Sequence, residues 1–506
     1  VASRQHPTLT PSARGFTMVA RALVWSSTSA RNNSSTDRLV SFMLEPAIHT
    51  IKEGLQANAF ETIVGHGPEA LLARSRHSQR ELVDSLGEGD VFVWVGLANL
   101  DLWRRSGRDS FVEALLRSLT IRKVLTVYYS TEAYPHHPCH EKRSLPVREI
   151  WEYSAVNVVC CPDNLSGIRV RHVPPGFSER AAHRPLAAIE ARTQGPPILA
   201  FLASVASNYD KRVSCVKHIA KGLVDELRAR SSTSTLLSSK CINSFCNPRW
   251  CKSTHASCPF RAIRSANTDE AWSATMARYS TYLNVHKACG WANQDQDSDN
   301  ESTASCESFR LADLLASGAN IFSEHCYTGD EREYEGLVHF LPVSAIAPAV
   351  VASWQRDPAV EREQARRKRR IFAQRFAPAA IFYRAGLATT LAYHRRLQLP
   401  WEPVNTNVLE RPLPGLEAPV RPPHEPVPAF CCFHLEECVA RDLERDKRLA
   451  KNRTLLHILL VNHYEKNRRK REVDLIRALA ARNRTYDTSL GSHDAALIGS
   501  TNTSTR

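Results

Sequence analysis

Short apolar runs alternate with helical periodicity along the first third of the chain. Five of these runs are short enough for buried strands. We predict strands at residues 18–25, 61–65, 90–95, 123–129 and 155–160. The stretches between them, such as 36–55 and 110–119, carry apolar residues at helical spacing. This alternation is typical of a parallel, doubly wound sheet, so we predict an α/β, Rossmann-like domain over residues 16–176.

A short strand is predicted from residue 168, ending in a Pro-Pro-Gly turn at residues 174–176, and the same alternation begins again after this turn. Further strands are predicted at 198–203, near Ser234, at 281–285 and at 337–341, with a helix at 211–228 and helical sequence after Ala345. We therefore predict a second Rossmann-like domain over residues 177–395, with a helical end. The fold class is α/β, with two such domains facing across a cleft.

The ends of the chain have a different composition from these two domains. Residues 1–15 are predicted to be a disordered leader. Residues 396–430 are predicted to be a linker, because nine prolines fall between positions 399 and 428. Residues 431–506 are predicted to be a partial or truncated module, with one strand and one charged helix, followed by a disordered tail.

An αβ unit at residues 306–324 has a carboxylate near each end. Leucines at i, i+3 and i+4 within 311–315 predict a helix, with Glu307 or Ser308 at its start and Gly318 after its end. A short strand then leads to Glu324. Because helix starts at the carboxyl edge of a parallel sheet bind phosphorylated ligands, this unit is a candidate site; otherwise Glu307 is a helix-start charge.

Net charge is +14, and part of it lies in basic runs at 366–370 and 466–471. These runs lack interleaved aromatic residues, so they argue against nucleic-acid binding and leave either a solvated face or attraction to phosphates. No apolar run reaches the roughly 20 residues that a membrane-spanning helix requires, and no transmembrane segment is predicted.

The 14 cysteines include four that crowd, with His255, into residues 241–258. Their spacings differ from the CxxC pairs of zinc ribbons and favour disulfides or free thiols over a metal site. A disulfide between Cys289 and Cys306 is a further expectation. The aspartates at 295–299 lie in a low-complexity loop and predict no metal site. Asn-x-Ser/Thr sequons permit a secretory-pathway lumen, with the cytoplasm as the alternative.

Several short motifs occur in a fixed order between about 110 and 390. They are Tyr128–Glu132, Ile150–Ser154, Leu283-Asn284-Val285-His286, Glu307-Ser308-Phe309-Arg310, Ser323-Glu324 and Tyr334–Val338. Their order and spacing resemble GT-B glycosyltransferases, in particular the group-1 branch that includes CgeB-like spore-maturation proteins. The resemblance implies sugar transfer from a nucleotide-diphosphate sugar to a glycan, protein or small-molecule acceptor. It implies no metal and no cofactor other than the nucleotide-sugar co-substrate.

The resemblance also implies roles for individual residues. Glu307 would orient the donor sugar. Glu132 would contact the acceptor or act as the general base, and His136 and His137 are alternatives for that role. His286 would contact the donor or lie in the core. Donor and phosphate contacts are expected from Lys211, Arg212, Arg310, Asn284, Ser323 and Glu324. Positive groups suit this place because the diphosphate leaving group develops negative charge. Arg310 would alternatively pair with Glu307.

One position departs from the pattern of related retaining enzymes, which carry a second glutamate eight positions after the first. That position is Leu315. Asp313 lies about 200° around the helix from it and would not replace it. Ribose contacts would come from Glu324 or from a loop at residues 330–331, or the donor site is impaired. A non-catalytic binding or scaffold protein is therefore the alternative, followed by a nucleotide-sugar epimerase.

Overall fold

The computed structural model describes part of the chain, and the account below is confined to that part. The described residues are 20–26, 35–66, 77–96, 109–132, 142, 145–161, 168–186, 197–202, 210–230, 259–263, 268–286 and 304–396. At 35–43, 66, 77–80, 109–112, 210–211, 213 and 396 only the backbone is described. All belong to one compact unit within residues 1–431. The predicted leader, the linker beyond 396, the final module and the strand near Ser234 lie outside them.

The first half of the described chain forms a six-stranded parallel sheet. Its strands are β1 (Arg21–Ser26), β2 (Glu61–His66), β3 (Val91–Val95), β4 (Leu125–Ser130), β5 (Glu149–Glu152) and β6 (Arg169–His172). The strand order is β2-β1-β3-β4-β5-β6. The associated helices are α1 (Ser35–Ala57), α2 (His77–Asp84), α3 (Asp109–Ile121), α4 (Ala155–Val159) and α5 (Glu179–Ala182).

The second half forms a five-stranded parallel sheet in the order β11-β10-β9-β7-β8. Its strands are β7 (Leu199–Leu202), β8 (Phe260–Ile263), β9 (Thr281–Asn284), β10 (Asn320–Ser323) and β11 (His339–Phe340). Its helices are α6 (Asp210–Arg230), α7 (Asp269–Arg278), α8 (Ser308–Ala316), α9 (Thr328–Glu333) and α10 (Val343–Trp354), followed by α11 (Pro358–Arg375), α12 (Pro378–Arg384) and α13 (Leu387–Arg396). The predicted fold class, two parallel α/β domains, is confirmed.

The last helices pack back onto the first half of the molecule. Phe382 of α12 lies against Gly54 of α1, where a Cβ atom would collide with the phenyl ring. The same ring makes an edge contact with Trp151 of β5, with centroids 5.4 Å apart. One continuous core of buried apolar side chains therefore includes both sheets, α1, α8 and α12. Burial of this surface holds the two halves together.

One predicted strand is wrong. Residues 155–160 form the short helix α4, in which Val156 and Val158 are buried. A short apolar run does not distinguish a strand from a buried helix by periodicity. A contact from the second half accompanies the helical form, because Asp330 accepts hydrogen bonds from the Ser154 hydroxyl and the Ala155 amide, both at 2.6 Å. Strands β5 and β8 were absent from the prediction.

Among the described residues, no helix has the length and apolar character needed to cross a membrane.

Candidate functional site

The site residues of the second half gather where neighbouring parallel strands end. Asn284, the last residue of β9, stands opposite Ser323, the last residue of β10. His286 and Glu324 follow directly along the chain, and Glu307 precedes α8. Because carboxyl ends of parallel strands share one edge of a sheet, these side chains come from separate segments to one place. The site sits at the edge where α/β proteins bind ligands.

Two arginines contact one carboxylate at this edge. Arg212, in the first turn of α6, approaches Glu307 with 2.7 Å between Nη2 and Oε1. Arg310 approaches the other oxygen of Glu307, with 3.7 Å between Nη2 and Oε2. The arginine side chains are 5% and 3% exposed, whereas Glu307 is 22% exposed. We call Glu307, Arg212 and Arg310 the Glu307 cluster. Its carboxylate forms the accessible side, and its guanidinium groups lie deeper.

Arg310 links this cluster to the strand ends. Its Nη1 donates to the Asn284 side-chain oxygen at 2.8 Å, and the Asn284 amide donates to the Ser323 hydroxyl at 3.2 Å. The guanidinium lies over the Phe201 ring, 5.7 Å from its centroid. Burial lowers the pKa of Arg310 to about 10, with the charge of Arg212 acting in the same direction and that of Glu307 opposing it. An additional anion here would favour the charged guanidinium.

Glu324 fixes the orientation of His286. Glu324 Oε1 accepts from the His286 backbone amide at 2.7 Å and lies 2.9 Å from the ring Nδ1. Both side chains are buried, at 5% and 4% exposure. The expectation that Glu324 provides a ribose contact is untested, but one of its oxygens already accepts from His286. His286 is thus a positioned side chain at the base of the site.

A disulfide joins the segments that carry Glu307 and Glu324. It connects Cys306 to Cys326, whose Cα atoms are 5.4 Å apart. The expected pairing of Cys306 with Cys289 is therefore wrong. Cys306 precedes α8, and Cys326 follows β10. The fold of this αβ unit brings its two ends together, so the two cysteines lie close in space although 20 positions separate them.

Asp330 connects this region to the first half. Its carboxylate accepts from the Ser154 hydroxyl and the Ala155 amide, and from the Cys306 amide at 3.3 Å. Burial raises the pKa of Asp330 to about 6 against the opposing effects of the His172 charge and these hydrogen bonds. Residues 330–331 belong to helix α9 rather than to the loop expected from sequence. Asp330 thus ties together the two halves of the molecule.

The first half contributes Tyr153 and Glu132. The Tyr153 hydroxyl lies 2.9 Å from the Ser305 hydroxyl, and its ring centroid is 4.9 Å from that of Phe309. Burial raises the pKa of Tyr153 well above its usual value, and the charges of Glu307, Glu132 and Asp330 act in the same direction. Glu132 is half-buried, two residues beyond β4. Carboxylates of both halves therefore lie near this tyrosine.

Sequence reasoning missed a buried ion pair beneath this part of the site. Lys142 Nζ lies 2.6 Å from Glu152 Oε1, with both side chains almost fully buried. The other oxygen of Glu152 accepts from the Asn157 amide at 2.8 Å, and the same amide nitrogen donates to the Glu132 carbonyl at 2.9 Å. These contacts hold the backbone at Glu132 in place. Tyr153 and Asp330 lie in segments noted above, whereas no sequence signal identifies Lys142.

Neither Leu315, at the position of the second glutamate, nor Asp313, the nearest acid, contacts Glu307 in the described structure. Leu315 is fully buried in the core. Asp313 contacts Arg184 and Arg180 through one oxygen, at 3.2 Å and 3.3 Å. The contacts of Asp313 with Arg184 and Arg180 agree with the helical spacing, which places it on a different face from position 315.

Some expected site residues lie outside the described residues. Lys211 lies in the first turn of α6, but its side chain is not among those described. His136, His137 and the aspartates at 295–299 also lie outside. The remaining residues expected to bind the donor, namely Arg212, Arg310, Asn284, Ser323 and Glu324, come together with Glu307 and His286. Their roles remain predictions.

Comparisons with known proteins extend the description of the fold. No protein-family model and no curated protein matches the chain. Solved structures similar to it include the N-terminal domain of Candida albicans trehalose-6-phosphate phosphatase, at 11% identity and a TM-score of 0.43 over 77% of this chain and 100% of that one. Anabaena HepE in complex with UDP and glucose matches at 12% identity and a TM-score of 0.39, over 73% and 99%. Thermosynechococcus elongatus sucrose-phosphate synthase matches at 10% identity and a TM-score of 0.41, over 74% and 99%. We draw no functional conclusion from similarity at this level.

Proposed function

We propose that this protein is a glycosyltransferase that transfers a sugar from a nucleotide-diphosphate sugar to a glycan, protein or small-molecule acceptor. The observation that carries the proposal is the Glu307 cluster. Two buried arginines converge on one partly exposed carboxylate at the carboxyl edge of a parallel sheet. A diphosphate is an anion of suitable charge for such a pair, because guanidinium groups donate charge-assisted hydrogen bonds to phosphate oxygens.

The chemistry of transfer explains why positive groups belong here. When the bond from the anomeric carbon to the diphosphate breaks, negative charge grows on the departing phosphate oxygens. Arg212 and Arg310 would stabilise that charge, together with the positive end of the α6 helix dipole. In this proposal the guanidinium groups supply the positive charge, and neither a metal nor a cofactor takes part in the transfer.

The carboxylates would take separate roles. Glu307 would accept hydrogen bonds from hydroxyls of the donor sugar, because it is the accessible member of its cluster. Glu132 would remove the proton from the acceptor hydroxyl, since it comes from the opposite half and its charge acts on the same Tyr153 as that of Glu307. His286, held by Glu324, would contact the donor.

A binding protein without catalytic activity is the second candidate. The observation that favours it is the engagement of Glu307, whose two oxygens already lie 2.7 Å and 3.7 Å from arginine nitrogens. Such a carboxylate is less available to a sugar. A binding protein would hold the nucleotide sugar without releasing the nucleotide.

Nucleotide release separates these candidates. UDP-, GDP- and ADP-sugars are supplied to the full chain in turn, with a mixture of simple glycan acceptors, and free nucleotide is measured. We expect release with one donor class, lost in Arg212→Ala and in Glu307→Ala. Arg370→Ala is the matched control, because Arg370 is an exposed arginine paired with exposed Glu363.

The outcomes are distinct. A thermal shift with a nucleotide sugar, without release, would favour the binding protein. Neither release nor a thermal shift with any donor, in a folded chain, would contradict the proposal. Equal loss of activity in Arg370→Ala and Arg212→Ala would show that the arginine change acts through general destabilisation.

A further inference from the structure

The ring of His286 has one nitrogen that is buried without a described partner. Nδ1 lies 2.9 Å from Glu324 Oε1. When the Nδ1–H group donates a hydrogen bond to that carboxylate, the neutral imidazole has its acceptor lone pair on Nε2. Nε2 is buried and has no hydrogen-bond partner among the described residues. A buried acceptor left without a partner is unfavourable, so this lone pair suits a ligand.

Two sulfur atoms lie close to the His286 ring. The ligand atoms of His286, Cys306 and Cys326 all lie within 4.8 Å of one another, and the three side chains are buried. In the structure the sulfurs form a disulfide. The three residues come from segments that follow β9, precede α8 and follow β10. The fold therefore brings one imidazole and two sulfurs together from distant parts of the sequence.

We propose that reduction of the Cys306–Cys326 disulfide creates a Zn²⁺ site formed by His286 Nε2 and the two sulfurs. An imidazole and two thiolates are preferred zinc ligands, and Glu324 on Nδ1 completes the carboxylate–histidine–metal arrangement that orients such ligands. The proposal does not depend on the transfer reaction, and the zinc has no part in that reaction.

The chemistry balances in two steps. A dithiol reductant gives two electrons and two protons to the disulfide, yielding two thiols, and is itself oxidised to a disulfide. Zinc binding then releases one proton from each thiol, leaving two thiolates. Two negative sulfurs, one Zn²⁺ and a neutral imidazole sum to zero charge, which limits the cost of burial.

The two states would preserve the same connection. Cys306 directly precedes Glu307, and Cys326 lies two residues after Glu324. A disulfide joins these segments under oxidising conditions, and a zinc bridge would join them under reducing conditions. The site would therefore keep Glu307 close to the ends of β9 and β10 in either environment.

The test measures zinc retained by the full chain. The protein is reduced without oxygen, given Zn²⁺ and desalted, and bound zinc is measured per chain. The remaining cysteines create a background, so the four at 241, 246, 251 and 258 are first replaced by serine. In that background Cys306→Ser, Cys326→Ser and His286→Ala should each retain one zinc fewer. His218→Ala, at an exposed histidine on α6, is the matched control and should retain the full amount.

Two measurements protect the test against loss of folding. The protein with the four serine replacements and an unchanged His286 should melt at a higher temperature with Zn²⁺ when it is reduced. The melting temperature of its oxidised form should not change with Zn²⁺. Co²⁺ in place of zinc should give sulfur charge-transfer bands and tetrahedral absorption. Equal zinc in His286→Ala and His218→Ala, absence of the Co²⁺ bands, or the same zinc content in the oxidised and reduced proteins would overturn the proposal.

Discussion

Helix α8 is associated with two carboxylates, and each of them contacts a pair of arginines. One lies just before the start of the helix, and the other lies within it. Glu307 contacts Arg212 and Arg310 at the strand ends of the second sheet. Asp313, six positions later, contacts Arg180 and Arg184 on the other side of the helix. Each cluster contains a carboxylate with buried guanidinium groups around it. The sequence motifs single out Glu307, whereas the pairing of a carboxylate with two arginines is common to both clusters.

The described contacts complete the two clusters in different ways. Arg180 and Arg184 also contact Asp269, both at 2.8 Å, so two carboxylates meet two guanidinium groups in what we call the Asp313 cluster. In the Glu307 cluster the further described partner is the neutral side chain of Asn284. Asp313 is 5% exposed, whereas Glu307 is 22% exposed. Because Asp313 is the more buried carboxylate, we expect the Asp313 cluster to join segments of the fold and the Glu307 cluster, nearer to solvent, to admit a further anion.

The largest effect is expected at the Asp313 cluster. Asp313→Ala removes a buried carboxylate from Arg180 and Arg184 and should lower the free energy of unfolding by about 3 kcal/mol. Urea unfolding measures it. Pyrophosphate should not restore the loss, because Asp269 still contacts both guanidinium groups. Glu363→Ala, at an exposed acid, is the control and should change stability by less than about 0.5 kcal/mol. A loss below about 1 kcal/mol for Asp313→Ala would remove the distinction between the clusters.

A smaller and reversible effect is expected at Glu307. Glu307→Ala leaves Arg212 and Arg310 without their shared carboxylate. This change should lower the free energy of unfolding by about 2 kcal/mol. Pyrophosphate should restore part of this loss, because a diphosphate can occupy the place of the carboxylate. Thermal unfolding with and without pyrophosphate measures the effect. Glu307→Gln keeps the shape of the side chain and removes its charge, so it separates the two contributions. If pyrophosphate acts equally on Glu307→Ala and Asp313→Ala, the Glu307 cluster is no more an anion site than its neighbour.

The unit around α8 shows what local sequence signals predict well. Leucine spacing gave the helix, and Gly318, with φ of +66°, lies just after its end as its freedom from a Cβ clash predicts. Residues 155–160 show the opposite case. Their apolar run suits a strand or a helix, and the contact that accompanies the helical form comes from Asp330, 175 positions away. Periodicity carries no information about such a contact.

The same distinction applies to the site. The motifs at 283–286, 307–310 and 323–324 come together because they lie at the ends of adjacent parallel strands, which the strand pattern predicts. The contacts of Lys142 with Glu152 and of Tyr153 with Ser305 were not predicted, because such partners are identified by packing rather than by spacing. Residue types therefore suggested which side chains meet at the sheet edge, but not which side chains hold them there.

Asp330 extends the comparison to a buried carboxylate held by neutral donors in the described contacts. Burial raises its pKa to about 6, so at pH 5 the folded chain holds a proton that the unfolded chain has released. Its contribution to stability is therefore present below about pH 4 and lost as the pH rises through 6. Asp330→Asn lacks this titration. From pH 4.5 to 7 the free energy of unfolding should fall by about 1–2 kcal/mol more in the original protein than in Asp330→Asn, as measured by urea unfolding. Parallel profiles for the two proteins would mean that Asp330 stays ionised over this pH range, which would contradict the prediction.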